Sequence, residues 1–141
     1  MKKILIMLVL AMPSMAYSQC AINVPNLSFG IYNTLNEQAN MNTTSIKVTC
    51  DKTVNYEVKI SPGLSGSFSG RYLSPQKLSF DKLYYNLYLN PQYTIIFGDG
   101  TSGSTSYRGN AQSIPIYTRV PAKQKVSMGN YSDVLLINIT F

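Results

Sequence analysis

From residue 19 onward the side chains change character at every second position, and that period commits the chain to β-strands. Thr44, Ile46, Val48 and Cys50 share one face, with Ser45, Lys47 and Thr49 on the other. Tyr56, Val58 and Ile60 alternate with Glu57, Lys59 and Ser61. Leu83, Tyr85, Leu87 and Leu89 oppose Tyr84, Asn86 and Tyr88, while Ile114, Ile116 and Val120 alternate with Pro115, Tyr117 and Arg119. Leu135, Ile137, Ile139 and Phe141 line the last run, and shorter strands are predicted at 21–24, 27–29 and 94–97. Ser61-Pro62-Gly63 up to Gly70 reads as one loop, Gly98-Asp99-Gly100 up to Gly109 as another, and the Asn-rich stretch 33–42 as a third. No run of ten or more residues carries a helical stripe. Short strands at regular spacing between Gly/Pro/Ser turns predict a β-sandwich.

Composition narrows the chemistry. There is no histidine, which excludes a Ser-His-Asp triad, an HExxH zinc site and a histidine general base. The acidic residues, among them Glu37, Glu57, Asp81, Asp99 and Asp133, are scattered, so no carboxylate pair stands at glycosidase spacing. Asp99 lies between two glycines, which suits a turn better than a calcium loop. No enzyme activity, cofactor or metal is expected. A formal charge of +6, spread along 141 residues, gives no reason to expect nucleic acid as a partner.

Met1-Lys2-Lys3, an apolar run over 4–12 and the small residues around Ala16 and Ser18 form the three-part pattern of a secretory signal peptide. Residues 1–18 are therefore expected to be removed and 19–141 to form one domain. The apolar run falls short of the about 20 residues that a membrane helix needs, so no span is expected after processing. Gln19 and Tyr17 argue against lipidation of Cys20. Export to an oxidising compartment makes Cys20 and Cys50, the only two cysteines, a disulfide pair. Closing a loop of that length stabilises a fold by roughly 3–4 kcal/mol on the chain-entropy model.

The apolar face Leu135, Ile137, Ile139 and Phe141 runs to the last residue given. An immunoglobulin-like sandwich ordinarily places another strand beside its last long one. Without it, an apolar groove and a row of unpaired backbone groups stay open, an arrangement that sheet edges ordinarily avoid. Burying about four such side chains is worth roughly 6–12 kcal/mol, comparable with the whole stability of a small domain. Two readings stand side by side: a strand from elsewhere fills the gap, or an earlier segment such as 21–24 closes the sandwich internally.

Several elements then carry a family likeness. They are Cys20, Phe29-Gly30-Ile31-Tyr32, Ile46-Lys47-Val48-Thr49-Cys50, Leu83-Tyr84-Tyr85-Asn86-Leu87-Tyr88 and Gly98-Asp99-Gly100. Tyr117-Thr118-Arg119-Val120-Pro121 with Gln124, and Gly129-Asn130-Tyr131-Ser132-Asp133-Val134, complete the series. In order and spacing the chain resembles the spore coat protein U domain family, shared with Csu-type subunits of archaic chaperone–usher fimbriae. Phe97 stands where the family often has tryptophan, and Thr118 and Lys123 stand where glycine is usual. The resemblance implies an incomplete immunoglobulin-like β-sandwich lacking its last strand, with Leu135, Ile137, Ile139 and Phe141 in the groove that accepts a donor. It implies three partners: a periplasmic chaperone, an outer-membrane usher and a neighbouring subunit that donates a strand. The product is expected in the periplasm in transit and then at the cell surface, in a fimbrium or coat.

A subunit that polymerises in this way needs a free N-terminal extension of about a dozen residues with alternating apolar side chains. Cleavage after Ala16 or Ser18 leaves a tail reaching only roughly 3–10 Å at about 3.3 Å per residue. The expectation is a chain that accepts a strand but donates none, hence a tip, minor or coat component. A surface-binding adhesin is the alternative, with Leu64 and Phe68 in the 61–70 loop as candidate contacts and Tyr84, Tyr88 and Tyr117 as outward aromatics. A stand-alone secreted coat domain with an internally closed sandwich is the third reading.

Overall fold

The computed structural model describes residues 18–77 and 79–141. The expected signal segment lies outside the described residues except for Ser18. Among the described residues ten strands carry the fold: β1 (Cys20–Asn23), β2 (Asn40–Cys50), β3 (Tyr56–Ile60), β4 (Tyr72–Pro75), β5 (Leu83–Tyr84), β6 (Asn86–Tyr88), β7 (Tyr107–Gly109), β8 (Ser113–Val120), β9 (Tyr131–Ser132) and β10 (Ile137–Thr140). No helix among the described residues is long and apolar enough to cross a membrane.

The strands form one four-stranded sheet, β1-β2-β8-β6, and two three-stranded sheets, β10-β3-β7 and β5-β4-β9, with antiparallel pairing throughout. Period-two alternation turns one face of each strand inward. Ile46 and Val48 of β2, Leu87 of β6, and Ile114, Ile116 and Val120 of β8 meet Tyr56, Val58 and Ile60 of β3, Leu73 of β4 and Leu83 of β5 in one core. This is an all-β, immunoglobulin-like sandwich. The Cys20–Cys50 disulfide joins directly paired residues at the end of the β1–β2 ladder, fastening the first strand to its sheet.

Several expected boundaries moved, each for a local reason. The run 83–89 splits at Tyr85, so that β5 pairs with β4 and β6 with β8. The split places Asn86 in the interior, where it accepts a hydrogen bond from Arg71 (2.9 Å) and donates one to the Phe68 carbonyl (2.7 Å). Residues 27–29, expected as a strand, have no ladder, because the chain leaves β2 at Val24-Pro25 and Gly30 takes a left-handed φ of +69°. In the 94–97 stretch only Ile96 and Phe97 form bridges, since the Asn90 side chain accepts from the Thr94 and Ile95 amides and rounds the chain into a turn. Strand β7 lies inside the expected 98–109 loop, and β2 begins inside the expected 33–42 loop. Lys123, at a position where glycine is usual in the resembling family, adopts φ +59°, the left-handed conformation in which glycine carries no Cβ penalty.

Candidate functional site: an open-edged groove

Among the described residues, the last segment of the chain is paired with strands along one side only. Its paired side begins where Gln76 donates to the Asn130 carbonyl (2.9 Å) and continues as β9 beside β4. The Ser61 amide then donates to the Leu136 carbonyl, the Leu136 amide to Ser61 Oγ, and β10 pairs with β3. No further strand lies beside β9 or β10 on the opposite side among the described residues. The open edge from 131 to 140 is formed by β9 and β10, with the non-strand residues 133–136 between them.

A groove of about 910 Å³ opens beside part of this edge. Leu135 and Ile137 line one wall, and Leu27, Phe29 and Tyr32 the other. The floor is apolar core: Ile60, Leu73, Leu83, Ile116 and Val120. Its wall residues Leu27, Phe29, Leu135 and Ile137 are only half-buried. Apolar surface therefore remains in contact with water beside unpaired backbone.

Polar anchors hold the groove in shape. Asp133 accepts hydrogen bonds from the Leu64 amide (2.8 Å), the Val134 amide (2.8 Å) and the Tyr85 hydroxyl (2.6 Å). These tie the bend between β9 and β10 to the groove floor and to the 3-10 turn Gly63–Ser65. Gly63 has φ +73°, and a Cβ there would collide with the Asp133 carboxylate. Burial, reinforced by the hydrogen bond to Asp133, pushes the Tyr85 phenol far above its ordinary pKa, so it stays a donor at any physiological pH. Behind it, Arg71 is fully buried. Its Nη2 donates to the Ser61 carbonyl (2.8 Å) and its Nη1 to Asn86, while the guanidinium lies 5.3 Å from the Phe68 ring centroid. Arg71 Nε has no hydrogen-bond partner among the described residues. Burial lowers the guanidinium pKa, an effect opposed by Tyr85 and Asp133.

Of the predicted groove residues, the structure brings Leu135 and Ile137 to the cavity. Ile139 continues the same face opposite Val58, and Phe141, 55% exposed, lies 5.9 Å ring to ring from Tyr56; neither lines the cavity. The segment proposed to close the sandwich internally does not do so, since β1 pairs with β2. Of the two loop contacts, Leu64 is 57% exposed but Phe68 is only 6% exposed. The expectation of an exposed Phe68 is corrected: the ring is a lid on Arg71. Tyr84 is exposed, whereas Tyr88 and Tyr117 are half-buried and both meet Tyr93 edge-on. Asp99 is held in a turn by Thr101 (2.9 and 2.6 Å), and no group of three or more metal-ligating side chains occurs among the described residues.

Sequence reasoning missed the second wall. Leu27 and Phe29 carried a short alternation, and Leu83 and Tyr85 an inward face, but nothing in the pattern said that these would face one gap. Val126, also on the wall, carried no signal at all.

The fold matches the crystal structure of the CsuC-CsuE chaperone–tip adhesion subunit pre-assembly complex from archaic chaperone-usher Csu pili of Acinetobacter baumannii, with a TM-score of 0.62 at 16% identity. The match covers 89% of this chain and 40% of that one, so the likeness is one of fold and spans less than half of the solved chain. Comparison with curated proteins returned no match. The Spore Coat Protein U domain matches residues 7–138, nearly the whole length, and the chain belongs to that family.

Proposed function

We propose that the chain is an exported structural subunit of a chaperone–usher fimbria, or of a coat assembled in the same way. Its activity is assembly: the groove accepts an extended strand, first from a periplasmic chaperone and then, at the outer-membrane usher, from a neighbouring subunit. The observation that carries this reading is the open edge from 131 to 140 beside a half-buried apolar groove. An extended segment there would gain backbone hydrogen bonds along the edge and bury alternate side chains in the groove. Leu135, Ile137, Ile139 and Phe141 are the proposed acceptor face, joined by Leu27, Phe29, Leu83 and Tyr85. No catalytic role is assigned to any residue.

The proposed place in the fibre is the tip or a minor position. It depends on signal cleavage near Ala16 or Ser18, because residues from Cys20 onward are committed to β1 and the disulfide. N-terminal sequencing of the secreted protein checks it; a mature start well before Tyr17 overturns it. A surface-binding tip adhesin is the second reading, favoured by exposed Leu64. If Leu64→Ser in an assembled fibre leaves attachment intact, that version of the adhesin reading fails. The main test is expression in the periplasm with and without a cognate chaperone. The subunit should accumulate in the periplasm only with it, whereas equal accumulation without it contradicts the proposal.

A further inference from the structure

The two walls of the groove are held in different ways. The wall formed by 130–137 is anchored by backbone pairing to β3 and β4. The wall formed by 24–32 has left the β1–β2 ladder, and among the described residues no backbone-to-backbone hydrogen bond holds it. Side chains span the gap instead: the Tyr32 hydroxyl donates to the Pro121 carbonyl (2.8 Å) and accepts from the Gln124 amide (2.8 Å), and two side-chain amides reach across from β2. Asn40 Nδ2 donates to the Ile31 carbonyl (3.0 Å) and, more weakly, to the Phe29 carbonyl (3.4 Å). Asn42 Nδ2 donates to the Ser28 carbonyl (3.1 Å).

Asn40 and Asn42 lie two residues apart, on the same face of a strand whose other edge is paired with β8. An amide is suited to this task because it supplies N–H donors at the end of a side chain, where a neighbouring strand would have supplied them from its backbone. Phe29 sits between the tethered carbonyls, and its ring lies 5.1 Å from that of Tyr85 on the groove. The tethers therefore fix the apolar side chain that faces an incoming strand.

Building on the acceptor-groove reading, we propose that Asn40 and Asn42 are positioning residues for strand capture: they hold residues 28–31 as a preformed wall, so that the incoming strand does not have to order it. A wall ordered in advance keeps the binding-competent fraction high, and apparent affinity scales with that fraction.

The test follows a labelled peptide of about twelve residues, alternating valine with threonine or lysine, as it binds the purified full-length mature domain. For Asn40→Ala/Asn42→Ala we expect association to slow by about tenfold and dissociation to change by less than about threefold. Asn42→Ala alone, at an exposed position, should fold normally and slow association by about threefold. Asn40→Gln, which keeps the donor, should retain more of the wild-type rate than Asn40→Ala. Unchanged association in Asn42→Ala, or a lower melting temperature in the double variant with no change in association, overturns the proposal and leaves the asparagines merely structural. Failure of the wild-type domain to bind any such peptide is a different result, and it defeats the acceptor-groove reading itself.

Discussion

Strands β3 and β10 are hydrogen-bonded neighbours in one sheet with nearly the same apolar alternation, yet they are buried to different depths. Tyr56, Val58 and Ile60 of β3 are no more than 5% exposed. Ile137 and Ile139, directly opposite Ile60 and Val58, are only half-buried. Strand β3 is flanked by β10 on one side and β7 on the other, whereas among the described residues β10 has a neighbour on one side only. Alternation reports which way side chains point. It does not report whether a neighbour stands beside them, and that missing neighbour is where the proposed function lies.

The largest effect should come from placing a charge on each strand in turn. Val58→Asp buries an unpaired carboxylate in the core and should cost more than about 4 kcal/mol, enough to unfold the isolated domain. Ile139→Asp, with water within reach, should cost about 1–3 kcal/mol. Urea denaturation measures both, and equal costs would erase the distinction between the two strands. Next, Cys20→Ser/Cys50→Ser removes the fastening of β1 and should cost roughly 3–4 kcal/mol. Because that disulfide lies in the sheet opposite β10, strand binding by the surviving folded fraction should be little changed.

The smallest effect is the pH dependence. Hydrogen bonds from Thr101 hold the Asp99 carboxyl below its ordinary value of 3.8, and hydrogen bonds from Ser127 do the same for Asp81. Folded values below the unfolded one mean that their stabilisation is complete above 3.8 and is lost as pH falls through the lower folded values. Melting temperature should thus be insensitive to these groups at neutral pH and decline only in acid. Asp81→Asn should flatten the acid limb, and a decline between neutral pH and pH 5 would need another cause.

The inward faces of β2, β3 and β8 were legible in the sequence because each strand is long enough for its alternation to repeat. The disulfide was legible because only one pairing is possible. Strands β4 and β9 were not legible: Tyr72–Pro75 and Tyr131–Ser132 are short, and their pairing is made by main chain rather than by a side-chain pattern. The sheet change at Tyr85 was invisible because period two continues through it, and what marks it is the buried contact between Asn86 and Arg71. Phe68 was misplaced for a related reason. A phenylalanine in a Gly/Ser loop looks exposed until a buried arginine beneath it is known. Half of the groove was readable as the face 135–141, while the half supplied by 24–32 depends on long-range packing.

The most direct measurement of the acceptor groove is amide hydrogen exchange along the chain, with and without a bound strand peptide. In the free domain the amides of β3 should be strongly protected and those on the open side of 131–140 weakly so. Peptide binding should slow exchange at 131–140 and at 24–32 while leaving the interior ladder between β2 and β8 unchanged. Peptide binding that leaves 131–140 as fast as in the free domain, or that protects a different edge, would contradict the account.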